Sequence, residues 1–384
     1  MIAVFLLGAA AVLLLSGYLY GRYWIRALTV RVSFSRPHVC AGEVLELTEA
    51  IENRKKMALP ILEIAFRIPQ GLHFEDAENT LVSDYIYKRD IFAVAGMEKI
   101  IRRYLVTAQK RGYYEVSQLI CQTPSRMFGQ IYRVDDLMPE GTGGLYVYPE
   151  NTDCSLLLRA VEVILGEVES ARRLYEDPFV FASIRPYTIR DPLKSVNWKA
   201  TAKTGELMVN TYASTSAVRV RIFLDVSTDP ALPFSDSLRE LGIAMAASLV
   251  RTLVKRQKDA ALMVNCLTGR EEAPGCVRFS SCQSAGQMTA LEEYLTTDFD
   301  AAALLPFEEM LRQETGQKTG RGGEMRDEIF LFLTSSDRPS LRDSIRKLLG
   351  TGHSGILAVL SRTADGRREE HERNLYILPV CAVR

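Results

Sequence analysis

Between Leu28 and about Pro149, apolar and polar side chains alternate in short runs with a period of two. Thr29 to Phe34, Glu43 to Leu47 and Ile61 to Phe66 each put every second residue on one face, as a half-buried strand requires. Ile100 to Val106 and Tyr113 to Val116 continue the pattern. Ala41-Gly42, Glu52-Asn53, Pro69-Gln70-Gly71 and Arg111-Gly112 punctuate it with turn residues. Roughly five to seven such strands over about 120 residues predict a small antiparallel β-sandwich, immunoglobulin-like in outline.

From about Asn151 the period lengthens. Ser155 to Glu169 reads as a helix with Leu156, Leu157, Ala160, Val161, Ile164 and Leu165 on one side. After a cationic, aromatic stretch from Arg185 to Tyr212, strands and helices alternate. Val218 to Asp225 is a strand, and Ser237 with Glu240 forms a capping box for a helix burying Leu238, Leu241, Met245, Leu249 and Leu253. Ala260 to Cys266 is a buried strand and Ala285 to Leu295 a helix. Polar, Gly-rich Gln313 to Glu328 reads as a loop, Ile329 to Leu333 as a strand, and Ser340 to Leu349 as a helix stopped by Gly350 and Gly352. Ile356 to Leu360 and Leu375 to Val380 are further strands. This order predicts a mainly parallel sheet with helices on both faces.

Ile2 to Gly21 contains no charged side chain. As a helix, those residues reach roughly 30 Å, the thickness of a bilayer's hydrocarbon core. Tyr18, Tyr20, Tyr23 and Trp24 gather at the far end, where amphipathic rings favour the headgroup layer. A cleaved signal peptide is the rival reading, but no Lys or Arg precedes the apolar run. Arg22, Arg26 and Arg31 follow the span, and no acidic residue comes before Glu43, which predicts a single-pass anchor in the cytoplasmic membrane with the later domains in the cytoplasm. The chain therefore divides into an anchor (1–24), a β-sandwich (28–150), a linking helix and cationic segment (151–215) and an α/β domain (216–384).

A formal net charge of zero over 384 residues leaves no basic excess for phosphate, which argues against nucleic acid. Seven scattered cysteines without a CxxC pair form neither a disulfide framework nor a zinc ribbon, and read as small core residues in a reducing compartment. In open parallel sheets ligands sit at the carboxyl ends of the strands. Asp225, Ser227, Asp229 and Asp337 fall there, a set of hard oxygens suited to Mg²⁺. The plainer reading is that Asp225 and Ser227 cap the following loop. Enzyme templates fit less well. The Asp-x-Asp of haloacid-dehalogenase phosphatases has Ser227 in second place, no phosphate-binding G-x-x-x-x-G-K-[ST] loop exists, and Gly352-His353-Ser354-Gly355 misses the spacing of a nucleophile elbow.

The cationic segment reads Arg185-Pro186-Tyr187, Asp191-Pro192, Asn197-Trp198-Lys199-Ala200-Thr201-Ala202-Lys203 and Thr204-Gly205-Glu206-Leu207. Such a run either docks an acidic partner or pairs internally with Asp191 and Glu206. It resembles the signature of the bacterial domain-of-unknown-function 58 family: Arg-x-Tyr, Gly-Asp-Pro, Ile-x-Trp-Lys-Ala-Thr-Ala-Arg-x-Gly, Leu-x-Val, then a strand ending Asp-x-Ser. Arg185, Tyr187, Asp191, Pro192, Trp198 to Ala202, Gly205, Leu207 and Val209 match. The likeness extends to Lys110 to Tyr114 and Tyr146 to Pro149. Arg190, Lys194 and Lys203 depart from the pattern, and one apolar span stands where family members usually have two.

The resemblance implies a von Willebrand A-like α/β domain behind a membrane anchor and a β-rich domain. It further implies a non-enzymatic adaptor working with a MoxR-type AAA+ ATPase on a client protein, with Arg185, Tyr187, Asp191, Trp198, Lys199 and Lys203 forming a binding segment. The von Willebrand A metal pattern is altered here, since Asp229 stands where a Ser is usual and Thr334-Ser335-Ser336-Asp337 replaces Thr-Asp-Gly. A Mg²⁺-dependent hydrolase using Asp225, Asp229 and Asp337, and a structural envelope protein, are the alternative readings.

Overall fold

Alternation along the N-terminal strands is matched by burial, residue by residue. In Val44–Asn53 and Tyr85–Val94 every second side chain is buried and the ones between face outward. The computed structural model describes residues 2–75, 80–83, 85–124, 131–135, 143–173, 181–189, 191–212, 218–230, 232, 234–267, 276–282, 284–320, 328–350, 353–361, 369–372 and 374–381. These fall into two compact units, residues 1–151 with Glu292–Asp298, and residues 152–291 with 299–384.

In the first unit one sheet runs in the order Leu28–Phe34, Val44–Asn53, Lys99–Ala108, Leu72–Phe74. The other runs Ile131–Val134, Ser117–Pro124, Leu59–Pro69, Tyr85–Val94, Thr80–Val82, and neighbours are antiparallel throughout. Val30, Leu47, Ile51 and Val106 from the first sheet and Leu62, Ile64, Phe66 and Ile86 from the second share one buried cluster. The two sheets therefore face each other as the expected β-sandwich. A smaller sheet of His38–Cys40, Leu145–Tyr148 and Gly112–Tyr114 contains a parallel pair.

Tyr85–Val94 is a strand that the hydrophobic pattern does not mark, and the reason lies in its inward face. Ile86, Lys88, Asp90, Phe92 and Val94 point in, while Tyr85, Tyr87 and Ile91 point out. Lys88 and Asp90 meet Glu49 and Tyr104 of the opposite sheet. The Tyr104 hydroxyl donates to Asp90 Oδ2 at 2.6 Å and lies 3.3 Å from Glu49 Oε2. Lys88 Nζ sits 4.6 Å from the Tyr104 ring centroid, and Arg102 donates to Asp90 Oδ1 at 3.2 Å. Glu49 is completely buried and its Oε1 has no hydrogen-bond partner among the described residues. Desolvation, reinforced by the Asp90 charge, pushes the Glu49 carboxyl up to about 8.

The apolar N-terminus is a helix, Ile2–Tyr23, whose Phe5–Tyr23 portion is long and apolar enough to cross a bilayer. Its last turn joins the sandwich: Tyr20 and Trp24 belong to the sandwich's buried cluster. The Tyr20 and Thr123 hydroxyls are 3.0 Å apart, and a Cβ on Gly21 would lie 2.5 Å from the Tyr132 ring. Lys55 Nζ donates to the backbone carbonyls of Trp24 and Arg26.

The second unit holds a seven-stranded sheet in the order Cys276–Phe279, Asp259–Leu267, Arg219–Leu224, Glu328–Thr334, Ser354–Ser361, Leu375–Cys381, Glu370–Glu372. Its five central strands are parallel, as expected, but both edge strands are antiparallel, so the sheet is mixed. The edge strands are too short to show a period in the sequence. Phe223, Phe330, Phe332 and Leu357 pack on one face against helices Phe307–Gly320 and Pro339–Leu349. Leu224 and Leu360 face the opposite way, toward helix Ser235–Lys255, where Gly242 allows a close approach: a Cβ there would sit 2.9 Å from Leu360 Cδ1.

Helix Ser155–Arg173, from the expected linking segment 151–215, packs on strands Glu328–Thr334 and Ser354–Ser361 of the second unit. Two expectations need correction. Gln313 to Gly320 is not loop but the end of helix Phe307–Gly320, and residues 321–327 lie outside the described set. Buried Phe307, Met310, Leu311 and Glu314 hold that helix despite the cost of Gly316. Ser237 does not cap its helix, which begins at Ser235 after Phe234 in the left-handed region (φ 64°). Gly352, the second expected helix stop, is outside the described residues, while Gly350 ends the helix at φ 61°.

Candidate functional site

Register places three polar side chains at one level. Leu224 pairs with Val264 on one side and Leu333 on the other, so the next residues, Asp225, Asn265 and Thr334, lie side by side at the carboxyl ends of three adjacent parallel strands. Asp225 is buried and accepts four hydrogen bonds. Its Oδ1 takes the Ser227 N–H (3.0 Å), the Ser227 hydroxyl (2.6 Å) and Asn265 Nδ2 (3.0 Å), and its Oδ2 takes the Thr334 hydroxyl (2.8 Å). Burial raises the Asp225 carboxyl above the ordinary range, and these hydrogen bonds oppose it.

Asn265 holds the centre of this group. Its Oδ1 accepts the Val226 N–H at 2.9 Å, and a backbone N–H has only the option of donating. That contact fixes the amide orientation and turns Nδ2 toward Asp225 Oδ1, Ser227 Oγ (2.8 Å) and the Leu305 carbonyl (3.1 Å).

Of the four expected metal ligands, Asp225 and Ser227 are hydrogen-bonded to each other. Asp229 Oδ2 accepts from Arg338 Nη2 at 2.7 Å. Asp337 is held by both arms of Arg342, at 2.8 and 2.9 Å. Among the described residues no three His, Cys, Asp or Glu side chains come close enough to share a metal ion. The donors confirm the misfit. A divalent ion needs oxygen lone pairs turned toward it, and here N–H and O–H groups already point at them.

The cationic segment forms a hairpin carrying a short helix. Phe181–Pro186 pairs antiparallel with Met208–Tyr212, and helix Trp198–Thr204 sits between them in sequence. Both Arg185 guanidinium arms donate to Asp191, each at 2.7 Å, and the Thr188 N–H and hydroxyl add two more bonds to the same carboxylate. The Arg185 and Thr188 donors hold the Asp191 carboxyl well below the usual range. Asn197 caps the helix by accepting from the Ala200 N–H at 2.9 Å, and its Nδ2 donates to Asn210 Oδ1 at 2.7 Å. Gly205, at φ 77°, ends it. Half-buried Tyr187 donates its N–H to the Leu207 carbonyl at 2.8 Å.

Arg185 and Asp191 thus pair with each other, whereas Trp198 is 68% exposed and Lys199 and Lys203 are also exposed. Replacing Asn197 with Ala is expected to cost about 1 kcal/mol in denaturant unfolding of this unit. An unchanged midpoint would show that the cap does not hold the helix.

Neither Asn265 nor Asn197 stands out in the sequence. Asn265 sits inside an apolar run and looks like a strand interior. The cue for Asn197 is its place as a polar residue just before Trp198, where a helix cap belongs.

No family model matches the chain, and no curated protein matches it. Solved structures to which it is similar include the CARDB domain of the PF1109 protein of Pyrococcus furiosus, in complex with di-metal ions, at 14% identity over 31% of this chain and 87% of that one, with a TM-score of 0.19. A non-cellulosomal cohesin from Archaeoglobus fulgidus is 12% identical over 35% of this chain and 96% of its own, with a TM-score of 0.21. Native alpha-2-macroglobulin from Escherichia coli, from domain MG7 to the C-terminus, is 15% identical, with 32% of this chain covering 24% of that one at a TM-score of 0.24. Overlaps this slight say nothing of what the chain binds.

Proposed function

We propose that this chain is a membrane-anchored, non-enzymatic protein-binding adaptor that works with a MoxR-type AAA+ ATPase on a client protein. The observation that carries the reading is how the signature hairpin divides its side chains. Arg185, Asp191, Asn197 and Thr201 are spent on holding the segment, the Thr201 hydroxyl accepting the Met208 N–H at 3.0 Å. Trp198 is left in water on a capped helix, with Lys199 and Lys203 exposed on the same helix. An exposed indole contributes little to the fold, and Trp is a preferred anchor of protein interfaces. The ATPase and the client follow from the signature's resemblance to its family.

The finer fold reading belongs with it. Five parallel strands between two layers of helices support a von Willebrand A-like domain, and the two facing antiparallel sheets support an immunoglobulin-like one. Burial of Tyr20 and Trp24 supports a retained anchor over a cleaved signal peptide, since cleavage at the end of the apolar run would strip Tyr20 from the core. Arg22, Arg26 and Arg31 support a cytoplasmic location for both units. The hydrolase reading asks Asp229 and Asp337 to act together with Asp225, and each is instead paired with an arginine.

The test is a pull-down of tagged full-length protein from native membranes, with and without ATP, comparing wild type with a Trp198→Ala, Lys199→Glu double variant. An AAA+ ATPase is expected with the wild type, and its recovery should fall about tenfold in the variant, equal to about 1.4 kcal/mol. Equal recovery from a folded variant, or no ATPase at all, sinks the proposal.

A further inference from the structure

The carboxyl end of the central strands has the look of a cation site with its centre already taken. Asp225 Oδ1 and Ser227 Oγ, two oxygens that would converge on an ion, converge instead on Asn265 Nδ2, at 3.0 and 2.8 Å. Asn265 is completely buried, and its orientation is fixed from behind by the Val226 N–H on Oδ1. The two hydroxyls that could offer lone pairs, those of Ser227 and Thr334, each direct a proton at Asp225. The outer acids are neutralised by side-chain cations, Asp229 by Arg338 and Asp337 by Arg342.

We infer that this crevice is a cation-independent site in which the Asn265 amide permanently takes the place of a divalent ion. An amide N–H group supplies the positive end of a dipole to Asp225 and Ser227 without the charge of an ion. The site is then assembled as soon as the chain folds, at any concentration of divalent ion. Whatever docks on this edge does so without completing the coordination of a metal. This holds whether or not the hairpin binds a partner, because it concerns different residues and is read by a different measurement.

The amide is the discriminating group, so the substitution that matters keeps its shape and reverses its polarity. Asn265→Asp replaces two N–H donors with a second carboxylate facing Asp225 and creates the oxygen cluster that the wild type lacks. The experiment is a Mn²⁺ titration of metal-stripped, full-length protein in detergent, followed by electron paramagnetic resonance of the free ion and by thermal melting. The wild type is expected to show no saturable site with a Kd below roughly 1 mM, the weak end of protein oxygen sites. Its melting temperature should be the same in chelator and in Mn²⁺. Asn265→Asp should melt lower than wild type in chelator and recover by about 5 °C or more at saturating Mn²⁺.

Saturable Mn²⁺ binding by the wild type that disappears in Asp225→Asn overturns the inference. So does a folded Asn265→Asp protein that ignores Mn²⁺, since the amide would then not be what excludes the ion. If Asn265→Asp does not fold, the wild-type and Asp225→Asn titrations decide between the two outcomes by themselves.

Discussion

Glu49→Gln is expected to leave the β-sandwich about as stable as wild type at pH 5 and to make it more stable by roughly 3–4 kcal/mol at pH 8.5. The Glu49 carboxyl has a pKa of about 8 in the folded chain against an ordinary value of 4.5, mainly because burial penalises its charged form. Its pKa is raised, so the folded state holds the proton more tightly than the unfolded state does. That contribution is complete below about pH 4.5, and is lost as the pH rises toward 8. Gln keeps the shape of the neutral acid and has no proton to lose, so it should flatten this part of the pH profile. Asp90, Lys88, Arg102, Tyr104 and Cys121 surround the group, and the substitution leaves all of them in place.

The chain carries its own reporter for the measurement. It has two tryptophans, Trp24 in the sandwich core and exposed Trp198 in the other unit. In a Trp198→Phe background, urea unfolding followed by fluorescence reads the sandwich alone. A wild-type stability that stays level or climbs between pH 5 and 8.5 would refute the prediction, as would a Gln variant that tracks the wild type.

Asp225→Ala is expected to destabilise the second unit by about 3–5 kcal/mol, the usual cost of removing one member of a buried charged network. The loss removes the acceptor for the Ser227 N–H, the Ser227 and Thr334 hydroxyls and the Asn265 amide in a largely buried site. Asp225→Asn should be much milder. It keeps one oxygen for Ser227 and Asn265, and Thr334 already accepts the Ser336 N–H at 3.0 Å and has a hydroxyl able to reorient. Circular dichroism melts of the three proteins would order them. An Ala variant within about 1 kcal/mol of wild type would mean that Asp225 is not the centre of the crevice.

Much of the architecture was legible because burial there follows polarity. The alternation at Thr29 to Phe34 and the apolar run at Ile329 to Leu333 each became the strand they predicted. Reading failed where burial and polarity part. Tyr85–Val94 buries Lys88 and Asp90 and exposes Ile91, so its pattern cancels. Helix Phe307–Gly320 depends on packing by a few residues at its start, while its later half is polar and contains Gly316. At the candidate site the sequence marked Asp225 and Ser227 correctly as neighbours. It could not reveal that Asn265 would stand between strands to meet them, because register is set by pairing across 40 residues. Trp198 and Arg185 were marked together as one binding segment, yet one points outward and the other is spent on Asp191.

The way the apolar helix ends has a mechanical meaning. Only residues 24 to 27 separate the helix from the first strand, and Tyr20 and Trp24 are gripped by the sandwich on the way. The joint has no slack. At 1.5 Å per residue, the helix is a lever about 33 Å long, and a tilt of about 10° at its base would sweep its tip by about 6 Å. Bilayers of different thickness impose different tilts on a spanning helix. On the proposed reading of this helix as a membrane anchor, torque would pass through such a joint in either direction, and the thickness of the lipid would steer the direction in which the sandwich points. A pull on the sandwich would in turn be felt as a lean of the helix, not absorbed by a swivel.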